Sequence, residues 1–195
     1  MRRRGSLADW RSPISGGVAK GTAHPCVYVL AGTNGAGKSS VGGAAIREKG
    51  AGYFNPDEAT RRIRAANPHI SERDANIAAW QEGKRLLEEA IARRLVFAIE
   101  TTLGGETIAT LLLRALAEGL EVRMWYVALA TPELHIARVR ARVAGGGHDI
   151  PEHTIRERYD RSRVNLIRLL PHPTELRVFD NRPPGSFTEV ELPVE

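Results

Sequence analysis

The sequence predicts an α/β fold in which a parallel sheet is covered by helices on both faces. Three observations predict it. Short apolar, β-branched segments alternate with helix-like segments along most of the 195 residues, which is typical of parallel sheets. A glycine-rich stretch joins the first predicted strand to the first predicted helix. The composition, 42% hydrophobic and 26% charged, suits one globular domain with a hydrophobic core.

The predicted strands are short runs of apolar residues, which indicates burial on both faces of the sheet. The first is CVYVLAG, the third is LVFAIETT and the fourth is EVRMWYVALA. The five predicted strands cover residues 26–32, 52–55, 95–102, 121–130 and 175–181.

Helical periodicity and end signals place the helices between these strands. Gly50 and Gly119 end two of them, and Thr131 is expected to cap another that has Pro132 at its first position. The six predicted helices cover residues 37–50, 56–67, 71–94, 105–119, 131–147 and 151–170.

The domain boundaries follow from composition. Residues 1–24 lack periodicity and are rich in Gly, Ser, Pro and Arg, so we expect a flexible leader. They hold most of the net charge of +5, which weakens a nucleic-acid interpretation of the remaining chain. Residues 25–182 form the predicted domain, and the Pro-rich residues 183–195 a peripheral tail.

Localisation is predicted from what the sequence lacks. No apolar run reaches the roughly 18 residues of a membrane helix, and no secretory signal is evident. Cys26 is the single cysteine and has no metal-ligand cluster around it. We therefore expect a cytoplasmic protein without a membrane partner.

The glycine-rich stretch matches the phosphate-loop pattern G-x-x-x-x-G-K-[ST]. Its backbone N–H groups can turn toward phosphate oxygens, and the following helix N-terminus adds positive potential. Lys38 is expected to reach the β- and γ-phosphates, and Ser39 to ligate Mg²⁺. The absence of an evident guanine-reading stretch favours ATP over GTP. The predicted ATP-binding residues of the loop are Gly32, Thr33, Asn34, Gly35, Ala36, Gly37, Lys38, Ser39 and Ser40.

Ligands of parallel sheets bind beyond the carboxyl ends of the strands, so the residues after each strand are candidates. Asn55-Pro56-Asp57-Glu58 follows the second strand. Asn55 can cap a helix, with Pro56 at its first position and Glu58 closing a capping box. That leaves Asp57 unassigned, and its carboxylate could accept a proton from a substrate hydroxyl.

Glu100-Thr101-Thr102 ends the third strand, directly after apolar residues. A charge in that position is costly to bury without a purpose. Glu100 could hold Mg²⁺ through water or hydrogen-bond a substrate hydroxyl, and spacing alone leaves both roles open.

Arginines are dense near the end of the domain. Arg138 and Arg142 share one helix face, and Arg158 and Arg161 share a face of the next helix. The segment AGGGHDIP between them resembles a hinge, so we predict an arginine-bearing helical lid over polyphosphate. His148 in this hinge could bind phosphate or cap the following helix.

These blocks, in this order, resemble the zeta-toxin family of phosphate-loop small-molecule kinases. The resemblance covers about residues 27–181 and rests on AGTNGAGKSS, FNPDEAT, FAIETTLGG, the long segment from ALATPELHIARV to RSRVNL, and VFDN. It implies a nucleotide-kinase-like fold and transfer of the ATP γ-phosphate to the amino-sugar of UDP-N-acetylglucosamine. A separate antitoxin protein is the partner that the resemblance implies.

The resemblance also implies roles for residues. Lys38 holds phosphates, Ser39 holds Mg²⁺ and Asp57 is the catalytic base. Arg138, with Arg142 or Arg158, clamps the γ-phosphate. Asn55, Glu100, Thr101 and Thr102 contact the substrate. The chain is short, like the compact members, and GGGHDIP lacks the arginine that plasmid-type members carry there, so His148 or an arginine of the next helix must replace it.

Three functions remain as hypotheses. The first is an ATP-dependent, Mg²⁺-dependent kinase of a small hydroxylated metabolite. The second is a nucleic-acid-associated phosphate-loop ATPase or polynucleotide kinase, suggested by the arginines. The third is a nucleotide-binding partner subunit without catalysis.

Overall fold

A computed structural model describes residues 24–38, 52–182 and 185–190. The helix predicted over 37–50 lies almost entirely outside these residues, as do Ser39, Ser40 and most of the leader. The described part contains six strands and five helices. The strands are β1 (Cys26–Ala31), β2 (Gly52–Phe54), β3 (Phe97–Thr101), β4 (Glu121–Ala128), β5 (Glu175–Asp180) and β6 (Thr188–Val190). The helices are α1 (Pro56–Ala66), α2 (Glu72–Ala92), α3 (Glu106–Ala117), α4 (Pro132–Ala144) and α5 (Glu152–Leu169).

The strands form one sheet in the order β2-β3-β1-β4-β5-β6. The first five are parallel, which confirms the predicted α/β class. β6 was not predicted. It pairs antiparallel with β5 inside the segment expected to be a peripheral tail, and Phe187, just before it, is buried beside Phe179. The segment is rich in proline, which is uncommon in strands, so a strand of only three residues was not recognised in the sequence.

The alternation of side chains along the strands divides the core between the two sheet faces. Val27, Val29 and Met124 face a large cluster that includes buried side chains of α2 and α3. Leu30, Trp125 and Phe179 face a smaller cluster on the other side. A third, smaller cluster joins α4, α5 and the segment between them. It consists of Ile136, Val139, Ile150 and Ile155.

Of the two helices that were predicted to form a lid, α5 packs against the core of the sheet. Tyr126 Oη and Ser162 Oγ are 2.8 Å apart in a buried hydrogen bond, and Asn165 Nδ2 donates to Leu103 O at 2.9 Å. Leu169 is fully buried in the large cluster. The second half of α5 is thus anchored to the sheet, which limits any lid movement to α4, the hinge and the first half of α5. No helix in the described ranges is long and apolar enough to cross a membrane.

The register of the sheet places the candidate residues together. β1 lies between β3 and β4, with Leu30 beside Glu100 and Ala31 beside Thr101. β2 pairs with β3 on the other side. The phosphate loop, the segment starting at Asn55 and the end of β3 therefore emerge at one edge of the sheet, as the topology of parallel sheets requires.

Candidate active site

The phosphate loop has the backbone that its glycines predict. Gly32 and Gly37 have positive φ angles of 141° and 94°. A Cβ added to Gly32 would lie 2.2 Å from Val127 O, and one added to Gly37 would lie 2.4 Å from Asn181 Nδ2. Both positions therefore require glycine for conformation and for space.

Two buried side chains from distant segments hold this loop from behind. His135 Nδ1 lies 2.8 Å from Asn34 O, and Asn181 Nδ2 donates to Ala36 O at 2.8 Å. These contacts occupy two loop carbonyls, and the amides of Gly32 and Ala36 donate to Thr101 O and Thr33 O. The other loop amides can face a ligand. Sequence analysis missed His135 and Asn181. Asn181 lies within the quoted VFDN block, but nothing in the sequence signals that His135 contacts a residue 101 positions away.

The environment of His135 keeps its imidazole neutral. Burial lowers its pKa to about 4, against the opposing effect of the contact with Asn34, and Tyr159 packs on its ring edge. Since a carbonyl can only accept, the proton of the neutral ring resides on Nδ1.

This depressed pKa predicts a pH-dependent stability. The unfolded chain protonates its histidine near pH 6.5, whereas folded His135 stays neutral down to about pH 4. Stability from this residue is therefore present above pH 6.5 and falls as the pH drops toward 4, by at most about 3 kcal/mol. Urea unfolding is measured at pH 7 and pH 4.5. Between these pH values, His135→Gln should lose less unfolding free energy than the parent. The control His69→Gln changes an exposed histidine and should lose as much as the parent; an equal loss for the parent and His135→Gln would contradict the assignment.

Lys38 lies at the end of the loop and is 9% exposed. Burial lowers its pKa, and the charges of Glu100 and Asp57 oppose that shift. Its Nζ is 4.0 Å from Glu100 Oε1. Among the described residues, the carboxylate that pairs with this buried ammonium is at the limit of an ion pair. Phosphate oxygens would add closer negative charge.

Glu100 is held in a buried hydrogen-bond network at the end of β3. Its Oε2 accepts from Asn55 Nδ2 at 2.7 Å and from Tyr53 Oη at 2.8 Å. Its other oxygen faces Lys38. Sequence analysis placed Asn55 and Glu100 at strand ends but did not predict their contact and did not identify Tyr53.

Asn55 also begins α1, as predicted. Its Oδ1 accepts from the backbone N–H groups of Asp57 and Glu58. The Asp57 carboxylate is thereby fixed at the first turn of α1 and is exposed. Its charge raises the pKa values of Lys38 and Arg158, in opposition to the burial that lowers both. Asp57 therefore lies close enough to these two cations for its charge to act on both.

Thr101 and Thr102 shape the loop that follows β3. Thr101 Oγ1 accepts from Leu103 N at 3.0 Å, and Thr102 Oγ1 lies 3.4 Å from Gly104 N. Leu103 has a positive φ of 55°. Each hydroxyl keeps its own proton as a donor, so a ligand contact is compatible with this turn.

The three predicted arginine clamps have different surroundings. Arg158 is half-buried and its Nη1 donates to Asn34 Oδ1 at 2.8 Å, on the phosphate loop itself. Arg138 is also half-buried, and its Nη2 donates to Asn181 O at 2.5 Å. Arg142 is exposed and donates to His148 O at 2.8 Å. The structure thus brings Arg158 and Arg138 against the loop, whereas Arg142 is directed into the hinge.

His148 does not cap the following helix, which is one of the two roles considered for it in the sequence. Its Nδ1 contacts the Glu72 carboxylate at the start of α2. Pro151 occupies the N-cap position of α5, and no side chain caps this helix. Arg158 of the following helix donates to the phosphate loop, so Arg158 is the candidate that we favour in place of the missing hinge arginine.

A phosphate loop after the central strand of a parallel sheet, with acids and arginines converging on its lysine, defines a phosphate-loop kinase. More particularly, the chain belongs to the zeta-toxin family. The family model described as Zeta toxin matches residues 16–182, most of the chain, and the resemblance seen in the sequence is confirmed. By this membership the protein is an ATP-dependent kinase.

One sequence relative and two solved structures are similar to this chain. An uncharacterized protein of Haemophilus influenzae is 31% identical over 128 residues, which cover 66% of this chain and 88% of that protein. The crystal structure of AvrRxo1-ORF1:-ORF2 with ATP is similar with a TM-score of 0.65 and 16% identity, covering 95% of this chain and 61% of that longer one. The PezAT toxin-antitoxin system of Streptococcus pneumoniae is similar with a TM-score of 0.60 and 18% identity, covering 95% and 78%. At such identities the two structures establish the shared fold.

Proposed function

We propose that this kinase transfers the γ-phosphate of ATP to a hydroxyl of a small metabolite, and that the metabolite is a UDP-activated amino-sugar. The observation that carries the proposal is the grouping of charges at the loop: buried Lys38 faces Glu100 at 4.0 Å, Arg158 donates to Asn34, and the charge of Asp57 acts on both cations. A plain ATPase needs an acid only to position water. An exposed acid at the mouth of the site, beside a separate buried acid, suits an acceptor that enters from solvent.

The proposed reaction is an in-line displacement. Asp57 accepts the proton of the acceptor hydroxyl as its oxygen forms a bond to the γ-phosphorus. The bond from that phosphorus to the β,γ-bridging oxygen breaks, and ADP leaves with the electron pair. The products are ADP, the phosphorylated acceptor and a proton that Asp57 later releases to solvent.

Positive charge around the transferred group comes from the loop and its neighbours. Lys38 would bind the β- and γ-phosphates, and the loop amides the remaining phosphate oxygens. Arg158 would contact the γ-phosphate once it is released from Asn34. Arg138 would add positive charge near the same phosphate from the other flank of the loop. We retain Arg142 as a weaker candidate, since its charge lowers the pKa of Lys38 and so acts at this site.

Mg²⁺ fits the donors of this site, because it prefers hydroxyl, carboxylate and water oxygens. Ser39, by its place in the motif, and the Glu100 oxygen that faces Lys38 would hold the ion, the latter through water. When bound, it neutralises charge on the β- and γ-phosphates.

The acceptor side of the site is proposed to consist of Asn55, Glu100, Thr101 and Thr102. Asn55 and Glu100 orient one another in the buried network with Tyr53, so both side chains are positioned before the substrate arrives. The threonine hydroxyls would donate to acceptor oxygens. Rigid placement of the acceptor oxygen can lower the barrier without new covalent chemistry.

The family also supports a role as a toxin with a separate antitoxin. The chain belongs to a family described as Zeta toxin, and the similar PezAT structure is that of a toxin-antitoxin system. We propose such a partner for this protein. Growth arrest on expression, relieved by loss of transfer activity, is the expected sign of that role; harmless expression of an active enzyme would favour a metabolic one.

Mass measurement of phosphoryl transfer tests the proposal. The protein is incubated with ATP, Mg²⁺ and a panel of UDP-sugars, free sugars and nucleosides, and each acceptor is examined for an added phosphate. A phosphorylated UDP-amino-sugar supports the proposal. Phosphorylation of another panel member alone would replace the proposed acceptor, and ADP formation without a phosphorylated acceptor would contradict this acceptor class.

Polynucleotide phosphorylation is the second candidate, and the surface argues against it. Arginines of α4 and α5 that could contact a nucleic-acid backbone pair with acids, as in Arg156–Glu133 and Arg161–Glu157. Nucleic-acid binding through phosphates would weaken steeply with salt. A strongly salt-dependent affinity for an oligonucleotide, together with its phosphorylation, would favour this alternative.

A further inference from the structure

Gly104 lies between β3 and α3, next to the side chain of Arg158. A Cβ added to Gly104 would lie 3.0 Å from Arg158 Cγ and 3.3 Å from Arg158 Cβ. Carbon atoms in contact are usually about 3.5–4.0 Å apart. The stem of Arg158 therefore occupies the space that a side chain at position 104 would need.

The backbone conformation does not account for this glycine. Gly32 and Gly37 have positive φ angles, whereas Gly104 and Gly105 do not. A Cβ added to Gly105 would meet no described atom within 4 Å beyond its neighbours in the chain. The requirement for space is thus specific to Gly104 and is set by Arg158.

The turn that contains Gly104 is anchored on both sides of it. Asn165 Nδ2 donates to Leu103 O at 2.9 Å and to Gly105 O at 3.2 Å. Leu103 and Asn165 are both buried, with 0% and 4% of their surface exposed. A side chain at position 104 would therefore displace the flexible stem of the arginine before it displaces this backbone.

One face of α5 connects this turn to the phosphate loop. Arg158 and Asn165 are seven positions apart, about two helical turns, and so lie on the same face. Ser162, on that face between them, shares a buried hydrogen bond with Tyr126 of β4. These contacts fix the rotation of α5, and Arg158 Nη1 reaches Asn34 Oδ1 at 2.8 Å. The direction of the guanidinium is consequently set by the passage of its stem along the turn.

We propose that Gly104 is a positioning residue for phosphoryl transfer, because the space beside it directs Arg158 toward the γ-phosphate. Asn165 supports the same function by holding the turn. The inference rests on the proposed function, in which Arg158 contacts the γ-phosphate, and deepens it. Arginine binds phosphate through N–H groups in a fixed planar geometry, and a misplacement of about 1 Å at an active site can lower the rate by about 10²-fold.

Nucleotide affinities test the inference without an acceptor. The probes are ADP and the β,γ-imido analogue of ATP, each with Mg²⁺, and calorimetry gives their Kd values. Gly104→Ala should weaken binding of the ATP analogue by about threefold to tenfold, and Gly104→Leu by about tenfold to a hundredfold, since both displace Arg158 from the γ-phosphate. ADP lacks that phosphate, so its Kd should remain near the parental value. Gly105→Ala is the matched control and should leave both Kd values unchanged.

The same substitutions in an Arg158→Ala background separate a positioning role from a structural one. Without a Cγ at position 158, Gly104→Leu should cause little further loss of affinity for the ATP analogue. An equal loss in both backgrounds, or a parallel loss of ADP affinity, would overturn the inference. So would an unchanged affinity in Gly104→Leu while Arg158→Ala weakens binding. An unchanged affinity in Arg158→Ala would contradict the role that the proposed function gives to Arg158, and the inference with it.

Discussion

Asp57→Asn is expected to reduce phosphoryl transfer by about 10²- to 10⁴-fold, the usual contribution of a general base. The amide preserves the shape of the side chain and the backbone N–H that Asn55 binds, so α1 should begin as before. ATP should bind at least as tightly, because the substitution removes a negative charge close to Lys38. Transfer rate and ATP affinity, measured on the same preparation, distinguish a lost base from a misfolded site.

Glu58→Gln is the matched control for Asp57→Asn. It removes one carboxylate from the same exposed turn of α1 and should leave transfer within a factor of a few. Turnover of Asp57→Asn within tenfold of the parent would disprove the base assignment. A parallel fall in ATP affinity would show that Asp57 supports nucleotide binding and not proton transfer.

The sequence was sufficient for those parts of the site that are local. The phosphate loop carries its constraint in consecutive residues, and Gly32 and Gly37 have the backbone expected of them. Asn55 and Glu100 lie at the ends of predicted strands, and parallel topology places all such ends at one edge of the sheet. The pairing of β2 with β3 and the contact of Asn55 Nδ2 with Glu100 Oε2 came from the structure.

The missed residues depend on contacts across long separations in the chain. His135 and Asn181 support the loop from 101 and 145 positions away, and a helix pattern does not indicate which side chain will reach a carbonyl. Arginine density predicted a cationic lid but could not distinguish Arg158, on the loop, from Arg142, in the hinge. Rotamers and neighbours decide that difference, and the glycine-rich hinge itself supplied the carbonyl that Arg142 binds.

Lys38→Met is expected to abolish transfer, with a loss of at least about 10²- to 10³-fold, the effect of removing one preorganised charge from a transition state. ATP binding should weaken as well, because the lysine contacts ground-state phosphates. The ligand-free protein, by contrast, should become more stable. Burial lowers the pKa of Lys38 even though Glu100 and Asp57 oppose the shift, so the folded state disfavours the charged ammonium relative to the unfolded chain. A neutral side chain of similar length removes that cost.

Thermal unfolding with and without ATP checks both consequences. Without ligand, the parent should have the lower Tm. ATP should raise that Tm strongly, because ligand at a hundredfold excess over Kd adds about 2.7 kcal/mol to the free energy of unfolding. Lys38→Met should start higher and rise little. Lys84→Met is the control, because Lys84 forms a surface pair with Glu88 at 3.6 Å that contributes little to stability. A lower Tm for ligand-free Lys38→Met would mean that Glu100, left buried without its cation, costs more than the desolvated lysine did. The loop lysine would then be a structural necessity as well as a phosphate ligand, and its burial would not reflect stability given up for function.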